Sequence, residues 1–153
     1  MPVVRRSRRV EASPDRVWDV VSDPYHMPRW WPRVTRMEGV EDDRFTEVLT
    51  TDKGRLVRMD FRLLESDPPG PGGLPAGRRL WEQELEGTPF ERVFSEARTE
   101  ILLESAGEKT LVTIALSHKL GGYARTGGFL LRRANRATLR EALERLEEIV
   151  TAR

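Results

Sequence analysis

Residues 138–150 read Thr-Leu-Arg-Glu-Ala-Leu-Glu-Arg-Leu-Glu-Glu-Ile-Val, and their apolar side chains recur every three or four positions. That spacing places the apolar side chains on one face of an amphipathic helix. An apolar helix face has to be covered, so the rest of the chain must supply a matching apolar surface. We therefore predict a long C-terminal helix over about residues 124–152 that packs on a sheet.

The sheet is predicted from residues 34–120, where the hydrophobic pattern has a period of two. Residues 57–63 alternate between apolar and charged side chains. The same period of two puts Trp81, Gln83 and Leu85 on one sheet face, and likewise Val112, Ile114, Leu116, His118 and Leu120. Such alternation gives a sheet one apolar face and one wet face. Turn-forming clusters separate the runs. We predict an antiparallel meander of about six strands, and residues 2–12 add a strand that precedes it.

Two short helices are predicted between the first strand and the meander. Ser13 can cap a helix whose first position is Pro14, and this helix stops near Pro24. The proline-broken segment 25–32 has room for one or two turns only. Residues 67–77 are rich in Pro and Gly and predict a flexible loop between two strands, so residues 1–153 are expected to form a single domain.

This order of elements resembles the helix-grip fold of the START/Bet v 1-like (SRPBCC) superfamily. The most specific stretches are residues 11–24, the cluster Trp30-Trp31-Pro32, the segment Gly87-Thr88-Pro89-Phe90, and Thr110. They resemble the polyketide cyclase/dehydrase and lipid-transport branch. The resemblance implies an α+β fold, in which a curved seven-stranded antiparallel sheet wraps around the C-terminal helix. It also implies a hydrophobic ligand in a cavity between sheet and helix.

The composition argues against several other classes of partner. The 26 basic residues nearly cancel the 25 acidic ones, so the chain lacks the strong positive field that gathers nucleic acid. The chain contains no cysteine and two histidines, so we expect no metal and no cofactor. No run approaches the ~18 apolar residues of a membrane span. We expect a cytoplasmic protein that is a monomer or a weak homodimer.

The N-terminal half of the last helix is predicted to carry polar ligand contacts. A projection at 100° per residue from Leu139 puts Asn135, Arg132 and Gly128 on the inward line. An unpaired inward arginine is costly, which favours a wet cavity where Arg132 and Asn135 bind the ligand. In the alternative, Gly127 and Gly128 shift the helix phase and Arg132 extends into solvent.

Further candidates lie on the predicted inner face of the sheet and beside it. Trp81 and Gln83 combine a large apolar wall with a polar group, as small-molecule pockets do. His118 is a weak catalytic candidate or a hydrogen-bonded core residue, and Trp30 lies either at the cavity mouth or under the short helices. The predicted cavity measures about 300–1,000 Å³. Its predicted ligand-binding residues are Trp30, Met59, Phe61, Trp81, Gln83, His118, Arg132 and Asn135.

Three functions are compatible with these observations. The first is binding or transport of a small hydrophobic ligand, such as a lipid, a polyketide or an aromatic metabolite. The second is a cyclase or dehydratase, in which His118 or the Arg132/Asn135 pair would polarise a carbonyl group; no catalytic motif of the aromatic polyketide cyclases matches this sequence residue by residue. The third is an interaction protein like the Hsp90-activator homologues, with a filled core and an exposed apolar patch.

Overall fold

The computed structural model describes residues 3–71, 74–121 and 127–152. Short 3₁₀ turns at Pro24–His26 and Pro89–Arg92 accompany the main elements. The strands and helices, in chain order, are β1 (Val3–Val10), α1 (Pro14–Val21), α2 (Met27–Trp30), β2 (Val34–Glu38), β3 (Arg44–Thr50), β4 (Leu56–Asp67), β5 (Gly77–Gln83), β6 (Phe94–Ala106), β7 (Lys109–Leu120) and α3 (Gly128–Thr151).

The strands form one seven-stranded antiparallel sheet with the order β1-β7-β6-β5-β4-β3-β2. Only β1 leaves the sequential meander, because it pairs with β7 at the far edge. Register shifts interrupt the pairing at Leu63/Glu65 in β4 and at Phe94/Glu96 in β6. Irregularities of this kind bend a strand and increase its twist. The result is the predicted helix-grip architecture, a curved sheet around a long C-terminal helix.

The core lies between the concave face of the sheet and the C-terminal half of α3. On the helix, Leu139, Leu143, Leu146 and Val150 are at most 2% exposed, which agrees with the helical spacing in the sequence. The sheet covers this face with side chains from β1, β6 and β7, namely Val10, Ile101, Leu103, Val112 and Ile114.

The segment after β1 starts α1 as its sequence predicts. The Ser13 side chain accepts a hydrogen bond from the Arg16 backbone N–H, and Pro14 occupies the first helical position. Thr110, which is fully buried in β7, donates from Oγ1 to the Ala12 carbonyl at 2.7 Å. This bond ties the entrance of α1 to the last strand.

The C-terminal end of α3 is held by side chains from the start of the chain. Arg16 donates from Nε to the Val150 carbonyl at 2.5 Å and from a terminal nitrogen to the Ala152 carbonyl at 3.0 Å. The last carbonyls of a helix lack partners within the helix, and a guanidinium there also suits the helix dipole. Arg8 of β1 adds an ion pair with Glu147 at 3.0 Å.

Two boundaries differ from those predicted. Helix α3 begins at Gly128, whereas the prediction placed its start near residue 124, and residues 122–126, including Arg125, lie outside the described part. The Pro/Gly-rich loop is shorter than residues 67–77, because β4 continues through Asp67 and β5 begins at Gly77. The predicted flexibility of this loop is untested, and residues 72 and 73 are not described.

Candidate functional site

A cavity of about 250 Å³ lies between the concave face of the sheet, the end of α2 and the N-terminal half of α3. It is smaller than the expected range of about 300–1,000 Å³, and Phe61, Trp81 and Phe94 contribute bulky side chains to its wall. The residues around it are Trp31, Pro32, Arg33, Glu47, Leu49, Met59, Phe61, Trp81, Gln83, Phe94, Ala97, Thr99, Leu116, His118, Leu131, Asn135 and Thr138.

Phe61 and Trp81 line one wall of the cavity, and Phe45, which is not a lining residue, packs against both. The Phe45 ring stacks on Phe61 of β4 with a centroid separation of 5.5 Å. Trp81 of β5 meets Phe45 edge-on at 6.0 Å. Offset and edge-to-face contacts between aromatic rings add to the stabilisation from burial. This wall is therefore a rigid apolar surface.

His118 and Asn135 bring a polar pair into the cavity from β7 and α3. Asn135 Nδ2 lies 2.9 Å from His118 Nδ1. An amide nitrogen can only donate, so Nδ1 accepts and the neutral ring carries its proton on Nε2. Burial lowers the pKa of His118 below its ordinary value of 6.5. The imidazole is thus neutral at pH 7 and presents an N–H donor.

Glu47 is a carboxyl group in a largely apolar wall. It is 3% exposed and lies between Phe45 and Leu49 in the alternation of β3, opposite Met59 of β4. Desolvation by burial raises the pKa of this carboxyl to about 8. Within the part of the chain that the structure describes, no hydrogen bond or ion pair offsets that burial. At neutral pH Glu47 is therefore predominantly a neutral acid, which can donate one hydrogen bond.

Gln83 at the end of β5 also presents an unused donor. The side chain is 4% exposed, and its Nε2 atom has no hydrogen-bond partner among the described residues. A buried amide without a partner costs about 1–3 kcal/mol. Native structures keep few such groups, and a bound molecule is one physical reason for keeping one.

Most of the residues predicted to bind a ligand meet at this cavity. The structure brings together Met59, Phe61, Trp81, Gln83, His118 and Asn135. Their role as ligand contacts stays a prediction. Trp30 does not reach the cavity: it is fully buried, and its ring packs edge-on at 5.4 Å against Trp31, which lines the cavity instead. Trp30 is in the last turn of α2 and Trp31 ends it in an extended conformation, so the two rings go to different places.

The inward placement of Arg132 is wrong, because this side chain is exposed. The 100° projection assumes that the sheet covers the same side of α3 along its whole length. Instead, Leu131, Asn135 and Thr138 line the cavity. Towards the N-terminal end of α3, the buried side of the helix therefore rotates away from the projected line through Leu139. Arg132 then lies in water, where a guanidinium avoids the cost of burial.

Glu47 and Arg33 were missed as cavity residues. The signal for Glu47 was available in residues 44–50, where it shares the period of two with Phe45 and Leu49. For Arg33 no period exists, because it lies in a turn with a backbone φ of 69° before β2. Its guanidinium is 3.0 Å from Asp52 and largely exposed, so it lies at the margin of the cavity.

Residues 3–71, 74–121 and 127–152 contain neither a cluster of metal ligands nor a membrane-spanning helix. In these ranges no three His, Asp or Glu side chains converge as metal ligands would. None of the helices in the described part combines the length and the apolar character needed to span a bilayer.

Comparison with known proteins identifies the fold and a family match. The family model described as polyketide cyclase / dehydrase and lipid transport matches residues 1–151. None of the curated proteins matches the sequence.

Solved structures with the same fold cover almost the whole chain. A START superfamily protein from Mycobacterium smegmatis has a TM-score of 0.73 and 15% identity, covering 97% of this chain and 96% of that one. A protein from Thermus thermophilus has a TM-score of 0.71 and 24% identity, with 97% of each chain covered. The two-domain ARO/CYC protein BexL of the BE-7585A biosynthetic pathway has a TM-score of 0.75 and 22% identity, over 97% of this chain and 46% of that longer chain.

Proposed function

Because this chain belongs to the polyketide cyclase / dehydrase and lipid transport family, we propose that it binds a small hydrophobic molecule between the sheet and α3. The observation that carries the proposal is the cavity of about 250 Å³ with aromatic walls. Packed protein interiors hold few voids larger than a water molecule. A cleft of this size that extends into the core is most simply explained by a ligand.

The cavity size narrows the class of ligand. Its 250 Å³ is below the range typical of drug-sized ligands, about 300–1,000 Å³. An aromatic metabolite or a short polyketide matches this space better than a lipid with long acyl chains. The flat rings of Phe61 and Trp81 offer stacking surfaces to such a molecule. In this proposal the protein acts as a carrier in the cytoplasm.

A cyclase or dehydratase is the second candidate, and one observation favours it. Glu47 and His118 line the same cavity, and both are neutral proton donors at pH 7. Perturbed titratable groups in a cleft are typical of acid–base catalysis. An interaction protein of the Hsp90-activator kind is less well supported, since it calls for a filled core.

Native mass spectrometry of freshly purified protein tests the proposal. We expect a non-covalent adduct of a few hundred daltons that is released by denaturation. The variant Ala97→Leu adds bulk at a cavity residue and is expected to lose the adduct. Ala106→Leu, at the end of the same strand, is the matched control and should keep it.

The outcomes separate the functions. A carrier releases the molecule chemically unchanged after prolonged incubation, whereas an enzyme converts it to a product of different mass or retention time. An adduct that Ala97→Leu and Ala106→Leu retain equally would place the ligand outside the cavity and contradict the proposal.

A further inference from the structure

Three side chains at the cavity have hydrogen-bonding capacity that the described residues leave unused. Glu47 lies in an apolar wall without a partner, and Gln83 Nε2 is buried without one among the described residues. His118 uses Nδ1 to accept from Asn135, which leaves the Nε2 proton. At neutral pH, the Glu47 carboxyl group, Gln83 Nε2 and His118 Nε2 can each donate a hydrogen bond. A ligand that complements these donors carries hydrogen-bond acceptors.

The register of the sheet places these three groups on the concave face around Met59 and Phe61. Glu47 of β3 pairs with Met59, and Gln83 of β5 pairs with Phe61 two residues further along β4. His118 of β7 pairs with Ala97 of β6. With strands spaced ~4.8 Å apart, one ring system can lie across β4 and have a donor on either side.

The charges around the cavity are few. Among the described residues that line it, only Arg33, Glu47 and His118 can carry charge. Arg33 is paired with Asp52 at 3.0 Å and is largely exposed, and His118 is neutral. The facing elements β4, β5, β6 and α3 contribute uncharged side chains, among them Met59, Gln83, Ala97 and Asn135.

We propose that Glu47, Gln83 and His118 form a donor subsite that selects an uncharged aromatic ligand with carbonyl or hydroxyl acceptors. This inference rests on the proposed function and adds the substrate class. A ligand with such acceptors satisfies the buried donors. A hydrocarbon of equal shape leaves them unpaired, and polar sites of this kind reject such analogues strongly. A carboxylate also binds poorly, because Arg33, the one arginine among the described lining residues, is already paired with Asp52.

Three probes of one size test the subsite: 2-acetylnaphthalene with a ketone, 2-ethylnaphthalene without an acceptor, and 2-naphthoate with a charge. Their affinities for the full chain are measured at pH 7 by isothermal titration calorimetry. We expect the ketone to bind about 10-fold more tightly than the hydrocarbon, on the scale of one or two buried hydrogen bonds. The naphthoate should bind more weakly than both.

Two variants assign the selectivity to Glu47. Glu47→Gln keeps an N–H donor and is the matched control, so it should retain the ketone preference. Glu47→Leu keeps bulk but removes the donor, and the preference should fall about 5-fold.

The pH dependence gives a second measurement, because ionisation removes the Glu47 donor without a substitution. Since the pKa of Glu47 is about 8, the wild-type affinity for the ketone should fall about tenfold between pH 7 and pH 9. In Glu47→Gln this fall should disappear. For 2-ethylnaphthalene, which needs no donor, the fall should be smaller.

The possible results distinguish this inference from the proposed function. If all three probes bind within twofold of one another, the donor subsite is refuted while the hydrophobic cavity function stands. If the ketone preference is unchanged in Glu47→Leu and constant from pH 7 to pH 9, Glu47 has no part in selection. If no probe binds, ligand binding in the cavity fails and the subsite fails with it.

Discussion

Replacing Glu47 by glutamine should change how the stability of the protein depends on pH. The folded state raises the pKa of this carboxyl from 4.5 to about 8. It therefore holds the proton more tightly than the unfolded chain does. Between these two pH values the unfolding free energy falls as pH rises, because folding then requires a proton that the unfolded state has released.

The magnitude follows from the size of that change. One pKa unit corresponds to about 1.4 kcal/mol, so the group lowers the unfolding free energy by about 3 kcal/mol between pH 4.5 and pH 7. The full loss by pH 9 is about 5 kcal/mol, an upper value because water can enter the cavity and relieve part of the burial. Glutamine cannot ionise, so Glu47→Gln should escape this loss while it keeps a similar shape.

Urea unfolding followed by tryptophan fluorescence at pH 5, 6, 7, 8 and 9 measures the effect. We expect Glu47→Gln and wild type to differ by less than about 1 kcal/mol at pH 5, and the variant to be several kcal/mol more stable at pH 9. Glu104→Gln, an exposed change on β6, controls for the loss of one negative charge. Parallel stability curves for wild type and Glu47→Gln would show that the carboxyl is not confined in an apolar wall, and would refute this reasoning.

Three further outcomes are expected. Arg16→Met removes the two hydrogen bonds to the last carbonyls of α3. It should lower the unfolding free energy by about 1–2 kcal/mol in urea titrations. An unchanged urea midpoint would mean that water replaces the guanidinium. Arg132→Met should leave probe affinity within twofold by calorimetry, since the side chain is exposed, whereas Asn135→Leu, which removes the partner of His118, should change it. In ¹⁵N NMR titrations the midpoint of the His118 ring should lie below pH 6.5, because burial lowers its pKa, and a midpoint at or above 6.5 would contradict that.

The fold was predictable because its signals are periodic and local. Residues 57–63 alternate with a period of two, residues 139–150 repeat at helical spacing, and Ser13-Pro14 marks a helix start. Each pattern reports which face is buried, and a sheet and a helix with complementary apolar faces have few ways to pack. The pairing of β1 with β7 was not predicted, since no local signal specifies a contact between the two ends of a chain.

The site was less predictable, because burial at the cavity depends on which part of a helix or strand face the neighbouring elements cover. The hydrophobic period of the sequence does not report this. Asn135 and Arg132 share one projected line, yet only Asn135 is buried, since the covered side turns along α3. Trp30 and Trp31 are neighbours of one type, and the backbone at the end of α2 decides which of them reaches the cavity. For Glu47 the period was present, but a carboxylate in a strand is usually assigned to the wet face.

The edge position of β1 also affects the order in which the protein can assemble during synthesis. Val3 pairs with Ser117, so about 110 residues must be added before the first strand meets its partner. At ~5–20 residues per second, the strand waits for roughly 5–20 s on the ribosome. An unpaired strand is a template for aggregation, and charged side chains along it oppose that. Arg5, Arg6, Arg8 and Arg9, all exposed in the folded protein, repel other copies of this strand while it waits.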